Sequence, residues 1–420
     1  MRVAVIGLGY VGLPLAVRAA EAGHVVMGID LDRSKIDALR HGTSYIEDVT
    51  DERLAAVTDG LRFSLCDRLL LSHREFDICI VTVPTPLNDG VPDLSYVVEA
   101  GEEIGRILQP NLGRTVVLES TSYPGTTEGP FAEAIQRTSG LQPGQQYHLG
   151  FSPERIDPGA SEHTLENTPK LVSGTTPEAL ERIQSFYNTI VEVTVPVSSP
   201  RVAEMAKVFE NLQAYVNIAL VNEMAEVCSA LGIDVHETIG AAMTKGHSMA
   251  YWTPGPGVGG HCLPIDSLYV AWQAREQLGR PFKLAELAAE INENRPKYVV
   301  DRAVELLEER EIAVAGAMVL IMGVAYKPGV GDLRESPALP IVADLTSRGA
   351  EVIVVDPLVE SWTITPKLQI EELPDTLHQF DLVIVVTDHS LFDYDKVARE
   401  AQQVLDTRNS MRPSQTVVAL

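Results

Sequence analysis

A glycine-rich turn near the start of the chain constrains the fold more than any other stretch. Residues Arg2 to Ile6 predict a short buried strand, which runs directly into the sequence GLGYVG at positions 7–12. A helix to about Ala22, a second strand from His24 to Ile29 and the acidic Asp30 follow. Strand, glycine turn, helix, strand and acidic residue in this order are typical of a dinucleotide-binding α/β domain. A GxGxxG run alone would be weak support, but here it has the neighbouring elements that the motif requires.

The residues of this turn also predict which cofactor binds. The first two glycines permit the turn and a close approach of a pyrophosphate, and Gly12 lets the helix pack on the strand. Asp30 is expected to bind the ribose hydroxyls, and its charge would repel a 2′-phosphate, which favours NAD over NADP. Lys35 either reaches the adenosine side or is a solvated lysine. The predicted cofactor-binding residues of this region are Gly7, Gly9, Tyr10, Val11, Gly12, Asp30 and Lys35.

Further buried strands continue the α/β alternation. They are predicted at Phe76 to Val83, Thr115 to Glu119, Tyr147 to Phe151, Lys170 to Ser173 and Val191 to Val195. Ligands of an open parallel sheet lie beyond the carboxyl ends of its strands, so Pro84, Thr85 and Thr121 are expected at the cofactor crevice. Cys79 lies inside a strand and is expected in the core. Residues 1–198 are therefore predicted to form one NAD-binding Rossmann domain.

A long apolar helix is predicted from Arg201 to about Leu231. Lys207 and Asn211 fall on one face of this helix. Because burying an ammonium without a partner is costly, Lys207 is expected to be functional, the alternative being a side chain that extends to solvent. A helix of this length and apolar character commonly forms a dimer interface, so residues 199–300 are predicted to be a helical dimerisation and catalytic-loop domain.

A second glycine-rich stretch, GPGVGGHCLPID at positions 255–266, contains a lone cysteine. If the segment after Leu263 is helical, Cys262 and Asp266 lie on one face at i, i+4 spacing. A thiolate is a strong nucleophile toward an aldehyde, and a nearby carboxylate can position or deprotonate a water. The alternative is a glycine-rich loop with a buried structural cysteine.

A second α/β pattern begins near residue 312, and residues 301–420 are predicted to form a C-terminal domain. Strands are predicted at Ala317 to Val324, Glu351 to Val355, Asp381 to Val386 and Val404 to Asp406. This part has no GxGxxG run, so a second dinucleotide is not expected. Lys327 and Arg334, which follow the first of these strands, could hold a phosphate.

Charge and cysteine content narrow the class of protein. The net charge of −25 argues against nucleic acid or an anionic membrane surface as a partner. The four cysteines lie far apart and form no CxxC pair, which disfavours a metal site and a disulfide framework and favours the reducing cytoplasm. No apolar run reaches the length of a membrane span, and no signal peptide precedes the first strand.

Together these motifs resemble the UDP-glucose/GDP-mannose dehydrogenase family of four-electron nucleotide-sugar 6-dehydrogenases. The similarity covers the whole chain and rests on GLGYVG, VPTP, EST, PGTT, FSPER, GVGGHCLPID and GVAYKPGVGDLRESP. It implies an α/β fold with an N-terminal Rossmann domain, a central long helix that forms a homodimer, and a C-terminal Rossmann-like domain that binds the nucleotide sugar.

The resemblance also implies roles for individual residues. Cys262 would be the nucleophile, with Lys207 and Asp266 supporting it, Thr121 and Glu154 near the reacting groups, and Asn211 beside the sugar. Which of Asp266 and Glu154 activates the water stays open. Lys327 would contact substrate phosphate and Arg334 the cofactor side. The remaining residues implied to bind substrate are Arg155, Tyr251, Gly257, Gly259 and Gly260.

Two departures from the family pattern leave the sugar open. Residues 233–254 contain no arginine, although UDP-glucose dehydrogenases often carry one ahead of the glycine loop. The motifs GGHC and FSPER resemble those of the branch that acts on UDP-N-acetylhexosamines. The Met-Pro pair that is usual in that branch is Arg295-Pro296 here. UDP-N-acetylglucosamine is expected first, then UDP-glucose, or dTDP-glucose in an antibiotic-sugar pathway.

Two other hypotheses fit the sequence less well. A two-electron hydroxyacid dehydrogenase of the 6-phosphogluconate type needs no cysteine and has no second α/β domain. A non-catalytic NAD-binding protein would be expected to lack the nucleophile or the lysine, and both Cys262 and Lys207 are present.

Overall fold

The chain forms two compact units, one of residues 1–210 with 272–279 and one of residues 211–271 with 280–420. Among the described residues, no helix is both long enough and apolar enough to cross a membrane. The computed structural model describes residues 1–46, 48–58, 62–88, 90–110, 113–155, 163–246, 250–359, 369–370 and 372–420.

The first unit is built on an eight-stranded sheet. Its strands and those of a small hairpin are β1 (Arg2–Ile6), β2 (Val25–Ile29), β3 (Phe63–Cys66), β4 (Ile78–Val81), β5 (Leu87–Asn88), β6 (Val91–Pro92), β7 (Thr115–Leu118), β8 (His148–Phe151), β9 (Lys170–Gly174) and β10 (Thr194–Pro196). The order is β10-β9-β8-β7-β4-β1-β2-β3, with only β8 and β9 antiparallel, while β5 and β6 pair separately. Strands β4 and β7 are buried throughout, which explains why all their residues but Thr115 are apolar.

Helices cover both faces of this sheet. They are α1 (Gly12–Glu21), α2 (Arg33–Arg40), α3 (Asp51–Thr58), α4 (Ser95–Ile107), α5 (Ala132–Ser139) and α6 (Pro177–Tyr187), with a 3₁₀ turn at Leu71–His73 and a π turn at Thr127–Phe131. Alternate residues of β1 enter different apolar clusters: Val3 and Val5 join one, and Ala4 and Ile6 join the other. The core of this unit therefore lies on both sides of the sheet.

The second unit combines long helices with a six-stranded parallel sheet. Its helical part contains most of α7 (Pro200–Leu231), α8 (Val235–Met243), much of α9 (Leu263–Leu278) and α10 (Lys283–Glu309). The sheet part contains β11 (Met318–Met322), α11 (Ala338–Ser347), β12 (Glu351–Val355), β13 (Gln369–Ile370), β14 (Leu382–Val385), α12 (Tyr394–Glu400), β15 (Val404–Asp406) and β16 (Val417–Ala419). The strand order is β13-β12-β11-β14-β15-β16.

The predicted fold class is confirmed, with parallel sheets at both ends of the chain and a long helix between them. One predicted strand was misplaced. Val191 donates its N–H to Tyr187 O and belongs to the turn after α6, so the strand begins at Thr194. Strands β3 and β16 were not predicted, because segments of four and three residues are too short to show a clear strand pattern.

Candidate active site

The first glycine turn has the backbone geometry that its sequence predicts. Gly7 has a φ of 92°, in the left-handed region that favours glycine, and donates its N–H to Ile29 O at 2.8 Å. A Cβ on Gly12 would lie 1.9 Å from Gly7 O, so only glycine lets α1 start this close to β1. A Cβ on Gly9 would meet no described atom within 4 Å, which leaves room for a ligand on that side.

Asp30 lies at the end of β2 with its carboxylate fixed by the turn. Its Oδ2 accepts the N–H of Leu8 at 2.8 Å, and its Oδ1 accepts the N–H of Asp32 at 2.9 Å. Lys35 Nζ lies 3.5 Å from Asp30 Oδ2 and 5.9 Å from the centre of the Tyr45 ring, so it lies beside Asp30 rather than extending away into solvent. Sequence reasoning missed Tyr45, which donates its hydroxyl to Leu8 O at 2.7 Å. An open glycine turn next to an anchored carboxylate fits NAD.

Two threonines meet at the carboxyl ends of the neighbouring strands β4 and β7. The hydroxyl of Thr85 donates to Thr121 O at 2.7 Å, and Thr85 is 3% exposed. Thr121 is partly buried and Pro84 is exposed. The sequence prediction that these residues share one end of the sheet is consistent with this contact.

A buried charged cluster follows the same end of the sheet. Lys170 Nζ lies 3.1 Å from Glu119 Oε2 and 2.9 Å from Glu154 Oε2, and Tyr187 donates its hydroxyl to Glu119 Oε1. Glu154 Oε1 accepts the N–H of Arg155 at 2.6 Å. Sequence reasoning singled out Glu154 but missed Lys170, whose only signal was a lysine at the start of an apolar strand.

Electrostatics keep the lysine of this cluster charged. Burial raises the pKa of the Glu119 carboxyl against the attraction of Lys170. Burial acts to lower the pKa of Lys170, but the two carboxylates beside it raise that pKa overall, so the ammonium persists at neutral pH. The guanidinium of Arg155 pairs with another carboxylate, with Nε 3.0 Å from Glu210 Oε2.

Lys207 is a buried lysine in the first turns of α7. It is 8% exposed, so the alternative of a side chain extending into solvent is wrong. No hydrogen bond or ion pair between described residues involves its ammonium. A buried ammonium of this kind is suited to an anionic oxygen of a ligand.

Cys262 is exposed, so the alternative of a buried structural cysteine is wrong. It directly precedes α9, and the N–H of Asp266 donates to Cys262 O at 2.8 Å, which closes the first helical turn. Asp266 is 2% exposed, and its Oδ2 accepts from Asn211 Nδ2 at 2.6 Å. A thiol at a helix N-terminus is favoured as the thiolate, so this arrangement can supply a nucleophile.

The loop before Cys262 packs against the segment after β11. Gly260 donates its N–H to Arg334 O at 2.9 Å, and a Cβ on Gly260 would lie 2.7 Å from the Tyr326 ring. A Cβ on Gly259 would lie 2.6 Å from Glu335 O. The glycines of one motif are therefore required for close contact with the other.

One charged residue of that segment, Arg334, is held in position by a neighbouring carboxylate. Arg334 donates from Nη2 to Asp332 Oδ2 at 2.6 Å. Burial acts to lower the pKa of Arg334, but the bond to Asp332 raises it overall, and negative charge on Cys262 acts in the same direction. Lys327 is half-buried in the turn after β11, and Tyr251 is exposed.

Arg295 explains one departure from the family pattern. This side chain on α10 is 1% exposed and donates from Nε to Gly255 O at 2.9 Å and from Nη1 to Glu226 Oε1 at 2.9 Å. A Cβ on Gly257 would lie 3.4 Å from Pro296, the next residue. Arg295-Pro296 therefore anchors the start of the glycine loop that ends in the cysteine.

Comparison with known proteins decides the family. Three sequence models of the UDP-glucose/GDP-mannose dehydrogenase family match: the NAD binding domain at residues 1–191, the central domain at 201–294 and the UDP binding domain at 320–413. The chain belongs to this family. The resemblance stated from its motifs is thereby confirmed.

Relatives within the family have names that specify nucleotide sugars. UDP-N-acetyl-D-glucosamine 6-dehydrogenase of Pseudomonas aeruginosa is 37% identical over 93% of this chain and 91% of its own. The structure of a UDP-D-ManNAc dehydrogenase from Pyrococcus horikoshii matches with a TM-score of 0.88 and 30% identity, covering 100% and 98% of the two chains. A UDP-glucose dehydrogenase structure from Pyrobaculum islandicum also has a TM-score of 0.88, at 28% identity and 99% and 96% coverage.

As a member of the UDP-glucose/GDP-mannose dehydrogenase family, the chain is an NAD-dependent nucleotide-sugar 6-dehydrogenase. The model of the NAD binding domain covers the glycine turn and Asp30, where the geometry fits that cofactor. The model of the UDP binding domain covers Lys327 and Arg334. The hypotheses of a hydroxyacid dehydrogenase and of a non-catalytic protein are set aside.

Proposed function

We propose that this dehydrogenase oxidises C6 of a UDP-N-acetylhexosamine, UDP-N-acetylglucosamine first, to the uronic acid in two steps on Cys262. The observation that carries the proposal is an exposed Cys262 at the start of α9, with Asp266 one turn further on. The choice of sugar is supported by the Pseudomonas aeruginosa and Pyrococcus horikoshii relatives, whose names specify N-acetylhexosamines. UDP-glucose and dTDP-glucose are the next candidates.

The reaction forms and breaks one bond to Cys262. The first oxidation removes a hydride from C6 and the hydroxyl proton, which gives an aldehyde. The Cys262 thiolate adds to the aldehyde carbon, and loss of a second hydride from that carbon leaves a thioester. Water adds to the thioester carbonyl, the carbon–sulfur bond breaks, and Cys262 leaves as the thiolate. NAD held by the turn from Gly7 to Gly12 and by Asp30 would supply the hydride acceptor for both oxidations, so one sugar would yield two NADH.

Lys207 is assigned to the negative oxygen that develops when Cys262 adds to the aldehyde. Its ammonium is buried and has no partner among the described residues, so it can donate to an oxyanion without first breaking an ion pair. A donor held in a water-poor site stabilises developing charge more than one in water. Asn211, one turn further along α7, is assigned to the sugar and to Asp266, which it already contacts.

The two carboxylates are assigned different tasks. Asp266 accepts a hydrogen bond from Asn211 and is part of the helical turn that starts at Cys262, so we assign it to orienting that turn. Glu154 is held by an ammonium, which favours the ionised form that a base requires, so we assign it to the hydrolytic water. Thr121 is proposed to lie near the reacting groups of the substrate, as the family pattern implies.

The remaining binding residues are proposed from the family pattern. NAD is assigned to Gly7, Gly9, Tyr10, Val11, Gly12, Asp30, Lys35, Pro84, Thr85, Thr121 and Arg334. The nucleotide sugar is assigned to Arg155, Tyr251, Gly257, Gly259, Gly260 and Lys327. The proposed domains are residues 1–198 for NAD, 199–300 for dimerisation and the catalytic loop, and 301–420 for the nucleotide sugar.

A homodimer through α7 is part of the proposal. Leu220, Met224, Val227 and Leu231 recur every three or four residues along this helix and are 42–67% exposed. Such spacing places them on one face, which a second copy of the helix would cover. The cytoplasm stays a prediction, supported by four free cysteines.

A substrate panel tests the proposed function. NADH release should be measured with UDP-N-acetylglucosamine, UDP-glucose, dTDP-glucose and GDP-mannose. We expect kcat/KM for UDP-N-acetylglucosamine to exceed that for UDP-glucose by about tenfold or more, the discrimination that one substituent can provide. A preference for UDP-glucose would contradict the assigned sugar, and no NADH with any of the four would contradict the function.

A further inference from the structure

Four buried side chains from separate segments of the first unit meet around one ammonium. Lys170 at the start of β9 contacts Glu119 just after β7 and Glu154 beyond β8, and Tyr187 at the end of α6 donates to Glu119. Their exposed fractions are 2%, 1%, 8% and 0% in the order Lys170, Glu119, Glu154, Tyr187. Of these four residues, the mechanism above assigns a chemical task only to Glu154.

The cluster has one more carboxylate than ammonium groups. Both oxygens of Glu119 are occupied, Oε1 by the Tyr187 hydroxyl and Oε2 by Lys170. Glu119 alone would therefore neutralise the charge of Lys170. Glu154 is a second anion on the same ammonium, less deeply buried than Glu119. Glu154 is paired with Lys170 and accepts the Arg155 N–H, but removing a second carboxylate from water is costly even when it is paired, so its presence indicates a task beyond stability.

We propose that Lys170 is a positioning residue, which holds the Glu154 carboxylate ionised and oriented for hydrolysis of the Cys262 thioester. Glu119 and Tyr187 hold Lys170 in turn. In the step served, the water oxygen bonds to the thioester carbon, its proton passes to Glu154, and Cys262 leaves as the thiolate. The inference rests on the proposed function and adds the residue that controls its base.

The test uses variants that separate the charge of the cluster from its contacts. Lys170→Met removes the ammonium and leaves two buried anions. Lys170→Met with Glu119→Gln has the same net charge as the wild type, since one cation and one anion are lost together, but Glu154 has no ammonium beside it. Lys170→Arg keeps a cation, and Glu119→Gln alone removes only the neighbouring anion. Lys297→Met, at an exposed lysine, is the control.

We expect the charge-matched double variant to accumulate a covalent sugar adduct on Cys262, visible by intact-mass spectrometry. Its kcat should fall about 10²-fold, the contribution of a general base, with KM within about threefold. The acid limb of the kcat profile should move to higher pH by about one unit or more, because a neighbouring cation favours the carboxylate. Glu119→Gln alone should move that limb to lower pH, and Lys170→Arg should restore turnover.

Two results would overturn the inference. One is hydrolysis at the wild-type rate in the double variant, with an unchanged pH profile. The other is loss of folding in both Lys170→Met variants by circular dichroism, which would make Lys170 a structural residue only. Failure of the proposed function is distinguishable, because the wild-type enzyme would then release fewer than two NADH per sugar.

Discussion

At the residue scale, Cys262 differs from the other cysteines in its surroundings. Cys79 and Cys228 are buried, and burial raises the pKa of the Cys79 thiol, which makes it a poor nucleophile. Cys66 is partly buried, and burial raises its pKa as well. Among the four, Cys262 alone is exposed and directly precedes a helix. Its proposed role therefore follows from its exposure and its place before α9, which the number of cysteines in the sequence does not reveal.

Replacing Cys262 with serine should stop turnover and leave binding intact. The substitution keeps the shape but replaces a thiol of pKa about 8.5 with a far weaker acid and poorer leaving group. We expect turnover to fall by several orders of magnitude, with NAD and nucleotide-sugar affinities by calorimetry within about threefold. Cys66→Ser is the matched control and should keep normal turnover. Near-normal turnover in Cys262→Ser would show that Cys262 is only a loop residue.

Asp30 should determine the choice between NAD and NADP. Asp30→Ala with Leu31→Arg, at a position 59% exposed, removes a repelling charge, frees Lys35 and adds a phosphate partner. We expect the ratio of kcat/KM for NADP to that for NAD to rise at least about tenfold. Asp37→Ala, which removes an exposed carboxylate on the next helix, should leave the ratio unchanged. A wild-type enzyme that already prefers NADP would contradict the assignment of Asp30.

At the element scale, two glycines of the same turn should respond differently to alanine. A methyl group on Gly12 would overlap Gly7 O, so Gly12→Ala should lower the free energy of unfolding by about 3 kcal/mol. The same group on Gly9 meets open space, so Gly9→Ala should change it by less than about 1 kcal/mol but weaken NAD binding. Urea unfolding and NAD titration measure both quantities. Equal stability losses would mean that the turn is packed differently.

The elements that sequence predicted best are those with a strong local signal. The first two strands and the glycine turn each have a continuous apolar or glycine pattern. β3, a four-residue strand with one buried residue, has no such pattern. Lys170 was missed because its partners, Glu119 and Glu154, lie 51 and 16 residues away in the sequence. No local sequence pattern indicates contacts at such separations.

At the scale of the whole molecule, motifs far apart in sequence are joined within the second unit. The loop before Cys262 packs on Tyr326 and Arg334, and Arg295 holds its first glycine. The sequence identifies each of these motifs. It does not show that the glycines before Cys262 are needed for close contact with the segment after β11. Close packing of this kind is a property of three-dimensional structure alone.

Assembly is predicted from the exposed face of α7. In solution we expect a particle of twice the 45.7 kDa chain mass by light scattering, because the four apolar side chains would otherwise remain in water. Leu220→Glu with Val227→Glu should give monomers by placing charge in that interface. Leu391→Glu, at another exposed leucine, should leave the dimer intact. A monomeric wild-type protein would contradict the proposed interface.

The number of NADH released per sugar tests the central claim most directly. With limiting UDP-N-acetylglucosamine and excess NAD, a cysteine that holds the aldehyde for a second oxidation predicts two NADH for each sugar consumed. A hydroxylamine reagent present throughout should trap no free aldehyde. One NADH per sugar, with the aldehyde recovered as its oxime, would contradict four-electron oxidation on Cys262.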